Sequence, residues 1–418
     1  MDKSEVILKR QSVRTRFKNQ DMDFAFTWAL GIGETIGMAH GEIFAAATTI
    51  KDGDPASWRA GFRRQADFLA TRALEFARVG NDLAAGQSAF GSAFARRAAM
   101  QYQDPTDHEP WTSAVEAMED AFQQGARHLR VPIRPVRVPF ENGSLPGYYL
   151  EHDQTPRPTV LMVGGGDTFR EDLFYFAGYP GWKRGYNVLM VDLPGQGNTP
   201  ADGWHFRVDA GQSISACLDW IESNTAAPSN QCAVYGVSGG GYFTAQAAAS
   251  DRRIGAWVAS TPITDIGLLF EREFGAALRT PSWLVNLVMK VAGSMHKSTD
   301  ISLKKYAWQF GTNDFTEAVE RVRAEALRVP AESITCPALF LVGDSEAAEL
   351  KRQTAELHDA LARLGRDVTL HQFSVQDGAD AHCQVNNLRL AHLVIFDWLD
   401  QVFDFTSTSS TVDPRVPC

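Results

Sequence analysis

The pattern of hydrophobic and polar positions divides the chain into two regions. From about residue 21 to residue 130 the sequence is rich in alanine, and its apolar residues recur at helical spacing. The segment Trp58–Val79 shows this best, because its apolar residues keep one stripe from which the arginines are excluded. Four helices are predicted, since turn and N-cap residues interrupt the pattern at 51–55, 80–82 and 103–105.

After Pro132 the sequence changes to short β-rich segments separated by glycine-rich turns and helical stretches. Segments such as Val160–Val163 are apolar without alternation, which is typical of strands buried on both faces of a parallel sheet. An α/β fold with a mostly parallel, doubly wound sheet is therefore predicted, with loop-borne chemistry at the carboxyl ends of the strands. The predicted strands are Pro135–Val138, Tyr148–Leu150, Thr159–Val163, Asn187–Val191, Gln231–Tyr235, Ala256–Ala259, Ala338–Val342 and Val368–Phe373.

Between Pro262 and Pro330 the strand pattern gives way to amphipathic helical segments that carry Trp and Phe, which predicts a cap over the sheet. Basic residues outnumber acids within the first 20 positions, and we interpret that stretch as a solvated arm. The expected parts are an N-terminal helical lid domain at 1–131, a catalytic domain at 132–405 with a cap insertion at about 262–330, and a flexible tail at 406–418.

Composition and charge exclude several classes of binding partner. The 418 residues are 44% hydrophobic, which fits a globular protein and excludes a disordered one. With 40 Lys+Arg against 50 Asp+Glu the net charge is −10, so a general binder of nucleic acid or of anionic membranes is not expected. A small-molecule partner is the remaining expectation.

The cysteines and the apolar segments indicate the cellular compartment. The five cysteines are scattered and include no C-x-x-C pair, which excludes a disulfide framework and a zinc ribbon. No uncharged apolar run reaches the length of about 18 residues that a membrane helix needs. The sequence therefore predicts reduced thiols and a cytoplasmic location.

The strongest chemical motif is Gly236-Val237-Ser238-Gly239-Gly240, a G-x-S-x-G that follows a predicted strand and opens an Ala-rich helix. A nucleophile on so tight a strand-to-helix turn needs small neighbours, so that its hydroxyl stands clear of the sheet. We therefore interpret Ser238 as a nucleophile.

A serine hydroxyl is inert near neutral pH without a base, and the base needs an acid that orients it. In the chain order Ser, acid, His, the histidine belongs in a loop after the last strand, where His382 stands. The acid belongs in the turn after Leu341-Val342, which contains both Asp344 and Glu346. The usual turn geometry favours Glu346, and Asp344 stays open as the alternative.

The third requirement is an oxyanion hole formed by two backbone N–H groups. One is expected from Gly239, and the other from Gly165 or Gly166 in the glycine run after Val163. A dinucleotide loop is not predicted, because Phe169 stands where a third glycine or alanine should be. No cofactor or metal is expected, since the residues near His382 lack convergent ligand spacing.

The pocket wall is expected to be apolar and to face an aromatic or polyketide-like substrate. Tyr242 and Trp308 are predicted to contact that substrate, and a nearby Arg or Lys could pair with a carboxylate, although the sequence does not single one out. The full set of candidate wall residues is Trp28, Phe174, Tyr175, Tyr242, Phe270, Phe274, Trp283, Tyr306 and Trp308.

Four motifs together resemble a particular family of α/β-hydrolases, the one that includes 2,6-dihydropseudooxynicotine hydrolase and the fungal heptaketide hydrolases of melanin pigment synthesis. They are Val163–Asp167 with Glu171, Asp192–Gly197, Gly236–Gly240 and Asp377–Cys383. The resemblance extends over the N-terminal helices, and so covers nearly the whole chain. The acid turn departs from the family's usual aspartate position.

The resemblance implies a Ser-His-acid hydrolase whose N-terminal helices and cap close over the pocket, assembled as a homodimer. It also implies cleavage of a carbon–carbon bond beside a ketone, or of an ester, in a small aromatic or secondary-metabolite substrate. An acyltransferase or cyclase that uses the same triad with an acceptor other than water is the alternative.

Overall fold

The N-terminal part is helical in the computed structural model, which describes residues 10–152, 156–228, 230–278 and 297–405. The structure shows five helices in the described residues before 131, where four were predicted. The prediction missed the break after Ile36, which contains neither Pro nor Asn/Asp. There, the Ala39 N–H donates to the Glu42 carboxylate at 3.0 Å and starts a new helix. The helices are α1 Gln20–Ile36, α2 His40–Ala47, α3 Pro55–Arg78, α4 Asp82–Met100 and α5 His108–Leu129.

The catalytic part is built on a mixed eight-stranded sheet, so the predicted strands and their mostly parallel arrangement are confirmed. The order is β1-β2-β4-β3-β5-β6-β7-β8, in which β1 pairs antiparallel with β2 and β2 with β4, while the remaining pairs are parallel. The strands are β1 Ile133–Phe140, β2 Gly143–Leu150, β3 Thr159–Val163, β4 Asn187–Val191, β5 Cys232–Val237, β6 Ala256–Ser260, β7 Ala338–Gly343 and β8 Val368–Phe373.

Helices cover both faces of the sheet, which explains why the central strands do not alternate in polarity. In β3, Val160 and Met162 pack into the core shared with the N-terminal helices, while Leu161 and Val163 pack into the core on the other face. The covering elements are α6 Arg170–Leu173, a π-helical turn Phe174–Gly178, α7 Tyr179–Lys183, α8 Gly211–Asn224 and α9 Gly240–Ser250, with two further helices near the C-terminus.

An insertion between β6 and β7 supplies the helices that were predicted as a cap. It contains α10 Ile266–Leu278, α11 Lys297–Phe310 and α12 Phe315–Glu325, and its residues 279–296 lie outside the described part. After it, the chain continues through β7 into α13 Ala348–Arg363, and through β8 into a 3-10 turn at His382–Gln384 and α14 Leu388–Val402.

The segment that precedes α1 is anchored, which corrects its interpretation as a solvated arm for the described residues 10–19. The Asp23 carboxylate accepts hydrogen bonds from the backbone N–H groups of Thr15, Arg16 and Phe17, at 3.0, 2.6 and 2.7 Å. The Phe17 ring is buried. Residues 12–16 are exposed, but hydrogen bonds to Asp23 on α1 and to the Ala47 carbonyl of α2 hold this segment in place.

Two further observations concern membrane-spanning helices and the cysteines. Within the described ranges, no helix is long and apolar enough to cross a membrane. Cys217, Cys232, Cys336 and Cys383 are unpaired, whereas Cys418 and the rest of the predicted tail at 406–418 lie outside the described residues, as do residues 1–9.

Candidate active site

Ser238 lies on the tight turn between β5 and α9, as the G-x-S-x-G motif predicts. Its backbone φ is 57°, in the left-handed region that a residue with a side chain adopts at a cost. The turn is held by the Ser238 N–H, which donates to the Ser260 carbonyl at 2.6 Å. Only glycine fits at Gly236, because a Cβ there would lie 2.3 Å from the Thr244 hydroxyl.

His382 lies between Ser238 and Glu346 in a continuous chain of hydrogen bonds. Its Nε2 is 2.9 Å from the Ser238 Oγ, and its Nδ1 is 2.7 Å from the Glu346 Oε2. The His382 backbone N–H donates to the Arg10 carbonyl at 2.7 Å, so the anchored N-terminal segment helps to fix the histidine loop. This is the connectivity that activation of a serine hydroxyl requires.

Of the two acids that the sequence left open, Glu346 reaches His382 and Asp344 does not. The Glu346 N–H donates to the Gly343 carbonyl at 3.1 Å, and this turn folds the glutamate back over the end of β7. Its side chain is buried. Asp344 lies at the edge beside β8, where its carboxylate accepts the Gln372 side-chain amide at 2.6 Å.

The surroundings of His382 favour the charged ring. Burial alone would lower the pKa of the imidazole, but the neighbouring Cys383 sulfur and the Glu346 carboxylate raise its pKa above the ordinary value of 6.5. The site therefore stabilises an imidazolium at His382.

The glycine run after β3 lies directly against Ser238 and separates the two oxyanion candidates. The Gly165 N–H is used, because it donates to the Thr168 hydroxyl at 3.0 Å. In contrast, neither the Gly166 nor the Gly239 N–H has an acceptor among the described residues, and a Cβ built on Gly239 would lie 3.5 Å from the Gly166 nitrogen. Gly166 and Gly239 thus present two adjacent free donors beside the serine.

Two glutamines hold this loop in place, and sequence reasoning missed both as site residues. The Gln196 side-chain amide donates to the Gly164 carbonyl at 2.5 Å, and the Gln309 amide donates to the Gly166 carbonyl. The Gln196 amide also donates to the Gly165 carbonyl at 3.3 Å, and this carbonyl shares a peptide unit with the Gly166 N–H. Gln196 belongs to one of the motifs that carried the family resemblance, but Gln309 on α11 has no signal in the sequence.

Two pockets in the described part of the chain meet at Ser238. We call the first the cap-side pocket; it has about 910 Å³ of space and is lined mainly by apolar residues of the cap and the adjoining loops. The second, here the helix-side pocket, has about 840 Å³ and lies against the N-terminal helices. The residues common to both are Arg10, Gly166, Ser238, Tyr306 and His382.

The predicted wall residues divide between the two pockets and the core. Tyr242 and Phe270 line the cap-side pocket, and Trp28 lines the helix-side pocket. Phe174 and Tyr175 are core residues, while the side chains of Phe274 and Trp283 lie outside the described part.

The structure does not bring Trp308 to the substrate pockets, which corrects its predicted contact. Its ring packs edge-on against Trp111, with ring centres 5.2 Å apart. Trp308 and Tyr306 are two residues apart on α11, so they face different sides of that helix, and Tyr306 takes the place beside Ser238.

Comparison with known proteins identifies similar hydrolases. Residues 61–276 match the family described as esterase FrsA-like. The hydrolase LUC6 of a Fusarium species is 30% identical over 419 residues, covering 93% of this chain and 97% of that protein. The 20-hydroxy-prefusarin hydrolase FUS2 of Gibberella moniliformis is 29% identical over 416 residues, with coverage of 93% and 97%.

Among solved structures, that of 2,6-dihydroxy-pseudo-oxynicotine hydrolase superposes with a TM-score of 0.69 at 20% sequence identity. The match covers 91% of this chain and 98% of that chain. It confirms the α/β-hydrolase fold together with the N-terminal helices.

Proposed function

This chain belongs to the FrsA-like esterase family of α/β-hydrolases, and on that premise we propose that it is a serine hydrolase whose reaction passes through an acyl-enzyme on Ser238. The observation that carries the proposal is the unbroken hydrogen-bonded chain from Glu346 through His382 to Ser238. The two free N–H groups beside the serine support it.

In the first step His382 removes the proton of Ser238, whose Oγ attacks a substrate carbonyl carbon. The negative charge that develops on the carbonyl oxygen is stabilised by the N–H groups of Gly166 and Gly239. One such donor contributes about 3 kcal/mol to the transition state in comparable sites. Glu346 holds the imidazole in the required tautomer and stabilises its charge without taking the proton.

In the second step the tetrahedral intermediate collapses. An ester then expels an alcohol, which takes the proton from the His382 imidazolium. A 1,3-diketone expels an enolate, because the electron pair of the broken carbon–carbon bond is delocalised onto the second carbonyl, and the imidazolium protonates the departing carbon. Water, activated by His382, finally releases the acid and restores Ser238.

The substrate proposed here is a small secondary metabolite of polyketide type, cleaved at a carbon–carbon bond beside a ketone or at an ester. The apolar wall of the cap-side pocket supports an apolar or aromatic substrate. The relative named 20-hydroxy-prefusarin hydrolase supports the choice of chemical class.

The test is a time course with p-nitrophenyl esters and 1,3-diketones for the wild type, Ser238→Ala and His382→Ala. We expect each variant to lose activity by about 10⁴-fold or more. Ser250→Ala, which changes an exposed serine on α9, serves as the matched control and should retain activity. Turnover that survives in Ser238→Ala would contradict the proposal.

The same assay decides between hydrolysis and acyl transfer. If added alcohols or amines divert the acyl group at millimolar concentration, the acyltransferase alternative gains support, whereas exclusive release of the acid favours hydrolysis. The homodimer and the cytoplasmic location stay predictions, and light scattering on the purified protein measures the first of these.

A further inference from the structure

Two polar side chains at the junction of the pockets have no hydrogen-bond partner among the described residues. The Arg10 guanidinium lies over the Phe24 ring, 5.1 Å from its centre, but no described oxygen accepts its hydrogen bonds. The Tyr306 hydroxyl likewise has no hydrogen-bond partner there, although its ring packs against Phe315. Both residues line both pockets, together with Ser238.

The neighbouring charges are paired elsewhere. Asp21 accepts the Tyr102 hydroxyl at 2.8 Å, and the Asp167 carboxylate lies 3.7 Å from the Lys305 ammonium. Arg97 is paired with Asp172 at 2.8 Å. Asp21 and Asp167 are near enough to favour the charged form of Arg10, but neither forms an ion pair with it. Among Arg10, Arg97 and Lys305, Arg10 is therefore the cation that forms no ion pair with a described residue.

Both unpartnered groups are donors under neutral conditions. Although burial on its own lowers the pKa of Arg10, the nearby carboxylates of Asp21 and Asp167 raise it, and the guanidinium stays charged. Burial raises the pKa of Tyr306, so its hydroxyl stays protonated. The Tyr306 Oη would lie 3.9 Å from a Cβ built on Gly166, which places this donor beside the oxyanion loop.

The Arg10 guanidinium and the Tyr306 hydroxyl thus have unused donors at the junction of the pockets, which an oxygen of a bound ligand can accept. The matching group is a negatively charged oxygen, because a guanidinium binds carboxylates and enolates through charge-assisted hydrogen bonds. The position beside Ser238 means that such an oxygen would belong to a substrate part close to the scissile carbonyl.

We propose that Arg10 and Tyr306 form a subsite for an anionic oxygen of the substrate, next to the carbonyl that Ser238 attacks. The subsite rests on the proposed function, since it orients the substrate of the same serine. The anionic oxygen has two possible sources, a carboxylate already present on the substrate or the enolate that leaves when a 1,3-diketone is cleaved.

The two sources differ in the kinetic parameter that Arg10 controls. A carboxylate is bound in the ground state as well as in the transition state, so loss of Arg10 raises KM. An enolate forms only as the carbon–carbon bond breaks, with its electron pair moving onto the second carbonyl oxygen, so loss of Arg10 lowers kcat.

The experiment compares Arg10→Gln and Tyr306→Phe with the wild type on two substrate pairs. The first pair is the p-nitrophenyl monoester of glutaric acid and its neutral methyl ester. The second pair is 1-phenylbutane-1,3-dione and p-nitrophenyl acetate. Arg14→Gln is the matched control, because Arg14 is an exposed arginine of the same segment that bonds to the Phe17 and Lys18 carbonyls.

We expect Arg10→Gln to lower kcat/KM by about 10-fold or more for the glutarate monoester or for the diketone, and by less than about 2-fold for the other member of the same pair. Arg10→Lys should restore part of the loss, and Tyr306→Phe should show a smaller loss in the same direction. Equal effects on both members of each pair, with the wild type active, would overturn the subsite and leave the serine mechanism intact.

A binding measurement keeps the subsite testable if turnover is absent. Calorimetry with Ser238→Ala should detect the glutarate monoester and lose about 10-fold in affinity when Arg10→Gln is added. Absence of turnover in the wild type combined with Arg10-dependent binding would count against the proposed function alone. Binding that is unaffected by Arg10→Gln, together with no selectivity in turnover, would reject the subsite.

Discussion

The two pockets that meet at Ser238 differ in chemistry. The cap-side pocket is lined by apolar residues such as Ile263, Leu269 and Phe310, whereas the helix-side pocket contains Asp21, Arg97 and Asp167. Apolar walls bind through burial and tolerate varied shapes, while charged groups fix orientation. We therefore expect the two parts of the substrate that flank the scissile bond to differ in polarity.

Ser238 and His382 line both pockets. A substitution that disturbs them should therefore cause the largest loss of activity, whichever pocket a substrate fills. Glu346→Gln should lower kcat by about 10⁴-fold, because the imidazole loses both its orientation and the carboxylate that stabilises its charge. Steady-state kinetics measures the loss. Asp344→Asn is the matched control and should stay within about 3-fold of the wild type. The reverse ranking would return the acid role to Asp344.

A substitution in the oxyanion loop should give the next largest effect. A Cβ on Gly165 would lie 2.7 Å from the Ser238 Cβ and 2.8 Å from the Gly239 nitrogen, so Gly165→Ala must displace the oxyanion loop. We expect kcat to fall by about 10²–10³-fold, while the overpacking lowers the stability by about 1–3 kcal/mol and the protein stays folded. Gly41→Ala, where a Cβ meets open space, is the control. Full activity in Gly165→Ala would refute the assigned position of the loop.

The pH profile tests the electrostatics of His382. Its pKa is raised, and in the proposed mechanism the neutral ring is the base, so kcat/KM should rise with pH through an apparent pKa above 6.5. Glu346→Gln removes a group that raises this pKa, so the remaining activity should titrate at lower pH. A shift of the variant profile toward higher pH would contradict this account.

A smaller effect should be confined to the cap-side pocket. Leu269→Ala removes apolar surface there, so esters with a long apolar chain should lose about 10-fold in kcat/KM, while acetates stay unchanged. Leu364→Ala, an exposed leucine after α13, is the control. Equal losses for short and long esters would show that the pocket does not bind the chain.

The smallest effect is expected outside both pockets. Trp308→Phe should keep kcat/KM within about 2-fold for every substrate, because the Trp308 ring packs on Trp111. A loss confined to one substrate class would return Trp308 to the binding wall. Thermal unfolding serves as the check on packing.

Local patterns predicted much of this molecule. The bounds of β3, β4 and β8 match the predicted ones. Ser238 and His382 come together as the chain order requires. The family resemblance read from the four motifs is confirmed by the relatives.

The remaining site residues depend on contacts between distant parts of the chain. Arg10 reaches the site because Asp23 anchors the segment before α1. No sequence pattern near Arg10 predicts this position. Tyr306 and Trp308 could not be ranked, since the phase of α11 relative to the sheet is set by tertiary packing. The acid remained open until the turn after β7 was known.

The most direct test of the central claim is mass spectrometry of the protein quenched during turnover of a p-nitrophenyl ester. The account predicts one acyl group on the peptide that contains Ser238, formed in a burst of p-nitrophenol and absent in Ser238→Ala. Steady turnover with no adduct on Ser238, or with an adduct on another residue, would contradict it.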